Sequence, residues 1–434
     1  MSGLTISLIS IAVLFGLLAL RVPIAIALGG ISLVGLSLIR GPQAALGVFG
    51  SLPMEFGASW SLTTIPMFLL MGSVAYHSGM TASLFSAARL WLGNLPGGLA
   101  VATNFASAGF AAASGSSLAT SAAMGRLAIP EMLKAKYEPG LATGCVAAAG
   151  TLGALIPPSI MFVIYGWYTQ TSIGELLIAG IVPGLLTAAI YSGMIIIRCH
   201  FNPALAPKLN IETDWPARFR VLLSVWPIPL LVFFVAGSIF GGFATATEAG
   251  AIGAFFAFAI AFARGNMTRE VFRNSVVEAL SSTASIFFVA ISALLFTRFL
   301  AFAGLPIFLA KQVSLLGLDP LVLILGISVI YLVLGMFLDP LGVLLLTLPV
   351  VYPIMKSVGM DPLWMGVILV KYLEIGMITP PVGLNVYVVN SVVGKLVPLT
   401  TIFRGVTWFL AAEVVIMALL IAFPAISTFL PYMM

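Results

Sequence analysis

The sequence predicts an all-α polytopic membrane protein built from two inverted repeats, each containing a re-entrant helical hairpin and a broken helix. Three observations predict it: composition, a repeat marked by prolines, and the placement of lysine and arginine. Of 434 residues, 61% are hydrophobic and 8% charged, whereas a soluble domain carries about 25% charged residues. Apolar runs of the roughly 20 residues needed to cross a bilayer recur along the chain. The run at 5–20 lacks a basic leader and a soluble domain after it, so it is expected to be a retained span and not a cleaved signal peptide. Cys145 and Cys199 fall in or beside apolar segments and form neither a disulfide framework nor a metal spacing. The net charge of +5 is dispersed over short loops. That excludes the basic stripe nucleic acid requires and fits the basic cytoplasmic loops of a protein embedded in a lipid bilayer. No P-loop pattern is present, which excludes ATP hydrolysis by that route.

The repeat is carried by Gly153-Ala-Leu-Ile-Pro-Pro158, which recurs as Gly376-Met-Ile-Thr-Pro-Pro381 at an offset of 223 residues (376 − 153). The same offset takes Pro130 to Pro353, Met132 to Met355 and Pro139 to Pro362. Leucine and alanine coincide easily in apolar sequence. Four coincident prolines among 26 are far more informative, because proline dictates backbone geometry. The match fades toward the start, where the stretch from Arg21 to Gly30 corresponds loosely to 244–253. The chain therefore divides into 1–220, the first repeat plus a linker, and 221–434, the second.

Charge sets the orientation. The linker holds Arg198, Lys208, Arg218 and Arg220, and a second basic stretch holds Arg264, Arg269 and Arg273. Both are expected on the cytoplasmic side. Spans at 221–237 and 240–263 separate them. Working outward places Arg126, Lys134 and Lys136 inside and the segment around Asp319 and Asp361 outside. The two copies thus start from opposite faces, and both chain termini are expected to be periplasmic.

Within each copy one stretch is too interrupted to be a single span. Segments 98–113 and 118–135 flank Ala113-Ser-Gly-Ser-Ser117, and 321–334 and 341–356 flank Gly335-Met-Phe-Leu-Asp-Pro340. Each arm is shorter than a full crossing, so re-entrant hairpins are expected over about 98–137 and 320–360. Irregular backbone at that depth is tolerated where it lines a cavity or is buried in protein. Pro157-Pro158 and Pro380-Pro381 then break the helices expected at about 140–168 and 362–392. A broken helix offers bare carbonyls at one end and bare amides at the other, and paired breaks mark a transport site. Carbonyls and hydroxyls suit a hard cation such as Na⁺. Ser114, Ser116, Thr151 and Gly153 supply them in the first copy; Gly335, Asp339, Gly376 and Thr379 do so in the second.

The sequence is also recognisable at these positions. Ala113-Ser-Gly-Ser-Ser-Leu-Ala-Thr-Ser-Ala, Gly153-Ala-Leu-Ile-Pro-Pro-Ser159, Thr247-Glu-Ala-Gly250 and Glu374-Ile-Gly-Met-Ile-Thr-Pro-Pro-Val-Gly-Leu-Asn385 resemble the large permease subunit of tripartite ATP-independent periplasmic (TRAP) transporters, the DctM-like family. The resemblance spans essentially the whole chain. It implies an inverted-repeat ion-transporter (elevator) fold in a bacterial inner membrane, in which hairpin domains move against a scaffold. It also implies sodium as the coupling ion, a small four-helix membrane subunit and a periplasmic substrate-binding protein. The family's sodium sites carry over to Ser114, Gly115, Ser116, Thr151 and Gly153, and to Gly335, Asp339, Gly376 and Thr379. The expected cargo is a small organic anion, such as a C4-dicarboxylate, 2-oxoacid or sugar acid. An ion-coupled anion transporter of the same fold working without a binding protein is the alternative. Where the family usually has proline, this chain has Ala246.

Arg298 sits near the outer end of a span, where it could pair with a carboxylate substrate or snorkel to the interface. Ser116, Ser117, Ser159 and Asn385 lie at the tips and breaks and are candidates to face the substrate, with capping or interhelical bonding as the alternative. Lys371 and Glu374, three apart, are expected to neutralise each other. Asp339 could bind an ion or cap the next helix, and Glu248 is expected to pair within the scaffold. Segments 43–57, 81–92 and 305–316 read as interfacial helices. An enzyme is not expected: His77 and His200 form no zinc pattern, and Ser59 belongs to a helix start. A passive channel is disfavoured because inverted repeats with two hairpins imply alternating access.

Overall fold

The computed structural model describes residues 2–20, 22–208, 215–316 and 319–434. Arg21 and residues 209–214, which the repeat and the basic linker include, lie outside the described residues. The first half runs α1 (Gly3–Ala19), α2 (Ile24–Arg40), α3 (Pro42–Gly57), α4 (Thr64–His77) and α5 (Met80–Leu92). A hairpin of α6 (Gly98–Ser114) and α7 (Ser117–Lys134) follows, then the broken pair α8 (Pro139–Gly150) and α9 (Ile160–Thr169), then α10 (Ile173–Ala179) and α11 (Ile181–Phe201). The second half begins with α12 (Trp215–Ser224), α13 (Pro227–Phe240), α14 (Ala246–Ala263), α15 (Arg269–Ala303) and α16 (Leu305–Leu316). It repeats the order: hairpin α17 (Pro320–Gly335) and α18 (Pro340–Ser357), broken pair α19 (Pro362–Gly376) and α20 (Leu384–Val393), then α21 (Leu399–Ala422) and the short α22 (Ala425–Thr428). No strand occurs among the described residues.

The repeated prolines have a local cause. In both halves an acid-proline pair starts the first broken arm: the Glu138 carboxylate accepts from Leu141 N at 2.6 Å, and Asp361 accepts from Leu363 N at 2.7 Å. The acid satisfies an orphan amide of the first turn, and the following proline occupies the position where no amide is needed. Both halves then stop at a proline pair, 157–158 and 380–381, each joined by a cis peptide bond.

The three segments expected to be interfacial form helices α3, α5 and α16. The stretch after Arg264 departs from expectation: a loop was expected as far as Arg273, but α15 starts at Arg269, where Thr268 caps Val271 N at 3.1 Å. At 1.5 Å rise its 35 residues extend about 52 Å, well past the ~30 Å hydrocarbon layer. Glu248 also departs from expectation. Among the described residues it meets no distant scaffold partner and closes a capping box with Thr245 at the start of α14. The neighbouring Thr247 reaches across the scaffold instead, sharing a hydrogen bond of 2.8 Å with Thr64 of α4.

Two packed groups position the site. One side is built from α2, α4, α14 and α15; the other from both hairpins, both broken pairs and α21. In the second group small residues allow backbones to touch: a Cβ at Gly144 of α8 would lie 2.6 Å from the carbonyl carbon of Gly405 in α21. Such contacts hold apolar helices together where lipid supplies no hydrophobic drive.

Candidate functional site

At the first hairpin, α6 ends at Ser114 and the chain reverses through Gly115, whose φ of +63° suits glycine. A Cβ there would lie 2.3 Å from the carbonyl oxygen of Pro158. Opposite, a Cβ on Gly153 would lie 2.6 Å from the carbonyl oxygen of Ser116. The hairpin tip therefore rests directly on the break of its own repeat. Around this contact Ser114 Oγ lies 3.1 Å from Thr120 Oγ1, Thr151 donates to the Ala148 carbonyl at 2.6 Å, and Ser116 caps α7 through Ala119 N at 3.4 Å.

The second hairpin meets its break in the same way. A Cβ on Gly376 would lie 2.7 Å from Gly335 Cα. Thr379 donates to the Ile375 carbonyl at 2.6 Å, and Asp339 caps α18 through Gly342 N at 2.9 Å. The capping role weighed for Asp339 is thus realised, and its carboxylate stands in the turn that faces the break. Each break gathers glycine carbonyls and hydroxyls, the donor set of a weakly held hard cation.

Beside the first tip a cavity of about 470 Å³ opens between the two packed groups. Its polar lining is Ser114, Ser116 and Arg126 from the hairpin, with Ser73, Glu278, Ser281, Ser282 and Ser285 from α4 and α15. Glu278 accepts from Ser73 Oγ and contacts His77 Nε2, both at 2.7 Å. Arg126 Nη1 donates to the Tyr76 hydroxyl at 3.3 Å. Sequence reasoning used Arg126 only as a topology marker and passed over Glu278. The detectable signal was a serine run, Ser281-Ser-Thr-Ala-Ser285, at helical spacing on an otherwise apolar span.

Of the residues expected to face substrate, only Ser116 lines this cavity. Ser117 turns inward and donates to Glu374 Oε2 at 2.6 Å. Ser159 caps α9 and donates to the Ala154 carbonyl at 2.5 Å. Asn385 is buried and donates to the Ala147 carbonyl at 3.2 Å, tying the second broken pair to the first. Arg298 is exposed on α15, 20 residues, or about 30 Å, beyond Glu278 on the same helix.

The expected pairing of Lys371 with Glu374 is corrected. Lys371 Nζ bonds Glu413 Oε1 of α21 at 2.6 Å, and both side chains are buried. The Tyr191 hydroxyl donates to the same carboxylate. α21 packs against α19 as well as α8, which brings its carboxylate to the lysine, while Glu374 is engaged by Ser117.

Over residues 11–426 the sequence matches the family described as tripartite ATP-independent periplasmic transporter, DctM component. It is 37% identical over 380 residues to the C4-dicarboxylate TRAP transporter large permease protein DctM of Pseudomonas aeruginosa, covering 87% of each chain. It is 33% identical over 408 residues to the sialic acid TRAP transporter large permease protein SiaM of Vibrio cholerae, covering 92% of this chain and 94% of that one. The fold is shared with the YdaH transporter of Alcanivorax borkumensis at a TM-score of 0.65 and 15% identity, covering 90% of each chain. The relatives are named as transport permeases, not enzymes. The chain belongs to the DctM component family of tripartite ATP-independent periplasmic transporters.

Proposed function

We propose that this chain is the large membrane subunit of a sodium-coupled importer of a small organic anion, working by an elevator movement in a bacterial inner membrane. In this reading both termini are periplasmic and the two halves are inverted. A small four-helix membrane subunit completes the translocator, and a periplasmic binding protein delivers the substrate. The observation that carries the reading is the paired docking of hairpin tip on helix break: Gly115 and Gly153 in one half, Gly335 and Gly376 in the other. One sodium ion would be held by the oxygens of Ser114, Gly115, Ser116, Thr151 and Gly153, the other by those of Gly335, Asp339, Gly376 and Thr379.

The cargo is read from the cavity. Its hydroxyls suit a polyoxygenated molecule, and Arg126 offers the planar fork that binds a carboxylate bidentately. The relatives' names, C4-dicarboxylate and sialic acid, are both carboxylates. A hydrogen bond to a charged group contributes about 1.5–3 kcal/mol, so losing even one arm of the fork costs about a factor of ten or more. Arg126→Gln is expected to raise the substrate concentration for half-maximal uptake by roughly 10- to 100-fold. An unchanged value removes Arg126 from the site. Arg298, at the far end of α15, is assigned to the anion's entry from outside. Arg298→Ala is expected to slow uptake from the binding protein, and normal uptake at limiting substrate removes that role.

The reading as a whole is tested in liposomes containing the translocator, with and without a sodium gradient and the binding protein. Saturable uptake that requires both supports it. Uptake that follows sodium but ignores the binding protein selects the carrier of the same fold that works alone, and uptake indifferent to both overturns it.

A further inference from the structure

The cavity beside the first tip carries opposite charges on its two walls. Arg126 stands on α7 of the hairpin and Glu278 on α15 of the scaffold group, and both line the cavity. Among the described residues they do not pair: Arg126 forms no ion pair, and Glu278 meets only His77. Ser73 Oγ and His77 Nε2 both approach Glu278 Oε2 at 2.7 Å, which leaves Oε1 without a hydrogen-bond partner among the described residues. The Glu278 side chain is half-exposed, so Oε1 is open to a ligand. A further cation, Arg273, lines the adjoining recess and not the cavity.

These two groups differ from the rest of the polar lining in what they can bind. A serine hydroxyl both donates and accepts, so Ser114, Ser116, Ser281, Ser282 and Ser285 adapt to a hydroxyl, a carbonyl or a carboxylate alike. A guanidinium only donates, and an ionised carboxylate only accepts. A molecule whose carboxylate lies on Arg126 presents its other end to the wall that carries Glu278. A hydroxyl or an ammonium at that end donates to Oε1. A second carboxylate there meets a like charge, and like-charge juxtaposition is how a site turns away a near relative of its substrate.

We propose that Glu278 is a specificity-determining residue that selects a monocarboxylate bearing a hydroxyl or ammonium donor away from its carboxylate, and rejects dicarboxylates. This narrowing rests on the cavity being the anion site. Among the cargoes named above it favours the sugar-acid type over the C4-dicarboxylates.

Matched acids that differ at one carbon test this: gluconate against glucarate, and 4-hydroxybutyrate against succinate. The first of each pair ends in an alcohol where the second ends in a carboxylate. Each is added to the purified complete transporter in sodium at constant ionic strength and about pH 8, where carboxylic acids are fully ionised. The binding protein is omitted, so its own selection does not enter. The rise in thermal unfolding temperature with concentration gives the affinity. In whichever pair binds, the alcohol is expected to bind about 10-fold tighter than the dicarboxylate, or more. Glu278→Gln is expected to erase most of that ratio by tightening the dicarboxylate, whereas a merely structural role would weaken both members together. Should Glu278→Gln not purify, Ser282→Lys sets a cation one turn along α15 and is expected to close the same gap. Equal affinities in the wild type, or a ratio unchanged in the variant, overturn this inference and leave the anion site standing. No shift from any of the four acids overturns the anion reading of the cavity, and this inference with it.

Discussion

Valine at Gly153 or Gly376 is expected to abolish ion-dependent uptake while leaving a protein that purifies as a single species. In each case the new Cβ would meet backbone and not a flexible side chain: the Ser116 carbonyl oxygen at 2.6 Å, or Gly335 Cα at 2.7 Å. Neither neighbour can rotate away, so the hairpin tip must lift from the break. Overpacking of this kind costs about 1–3 kcal/mol, which a protein of this size tolerates. The oxygens of the proposed ion sites, however, are expected to shift by about an ångström, and misplacement on that scale costs about 100-fold in function. Alanine at either position is expected to fall between glycine and valine. Uptake rates in liposomes and elution profiles in detergent check this. A valine variant that transports normally would show that tip and break are not in contact during the cycle.

Glu413→Ala is expected to destabilise the folded protein by about 3–5 kcal/mol, because it removes the buried carboxylate that Lys371 bonds at 2.6 Å, its one ion-pair partner among the described residues. The loss should appear as a drop in the thermal unfolding temperature of the purified protein. Replacing both partners with apolar residues of similar volume, Lys371→Met with Glu413→Leu, is expected to recover most of it, since it removes the ammonium that Glu413→Ala leaves without its partner. The cycle matters more than either single variant. If Glu413→Ala alone melts at the wild-type temperature, the pair contributes nothing and Lys371 finds water or lipid headgroups instead.

How much of this was legible in the sequence depends on the kind of residue involved. Proline and glycine speak locally: Pro157-Pro158 and Pro380-Pro381 stop their helices wherever they are placed, and Ser114-Gly115-Ser116 reverses the chain because Gly115 tolerates positive φ. Hence the expected arms 98–113, 118–135, 321–334 and 341–356 end within a residue of α6, α7, α17 and α18. The acid-proline pairs were visible as repeats, and the structure adds their reason, the capping of α8 and α19. What could not be read locally was who meets whom. Lys371 and Glu374 sit at pairing distance along one helix, yet Glu413, 42 residues away, takes the lysine because α21 crosses the broken arms. Ser117, Ser159 and Asn385 look like free polar groups in the sequence, but they spend their hydrogen bonds on Glu374, Ala154 and Ala147. The cavity depends on how hairpin and scaffold face each other, so Arg126 and Glu278 gained meaning only in three dimensions. The long α15 was hidden because a basic stretch marks a membrane face equally well as a loop or as a projecting helix.

In the proposed elevator movement the hairpin beside the cavity exposes the same surface to opposite sides of the membrane in turn. Ala119, on α7 and lining the cavity, offers the most direct probe, because the native Cys145 and Cys199 are both buried and give a quiet background. In oriented membranes, an Ala119→Cys variant is labelled with an impermeant thiol reagent from one side at a time, at rest and during uptake. Labelling from the cytoplasmic side at rest, with periplasmic labelling appearing once sodium and substrate are supplied, is the predicted result. Labelling confined to one side under every condition would contradict it.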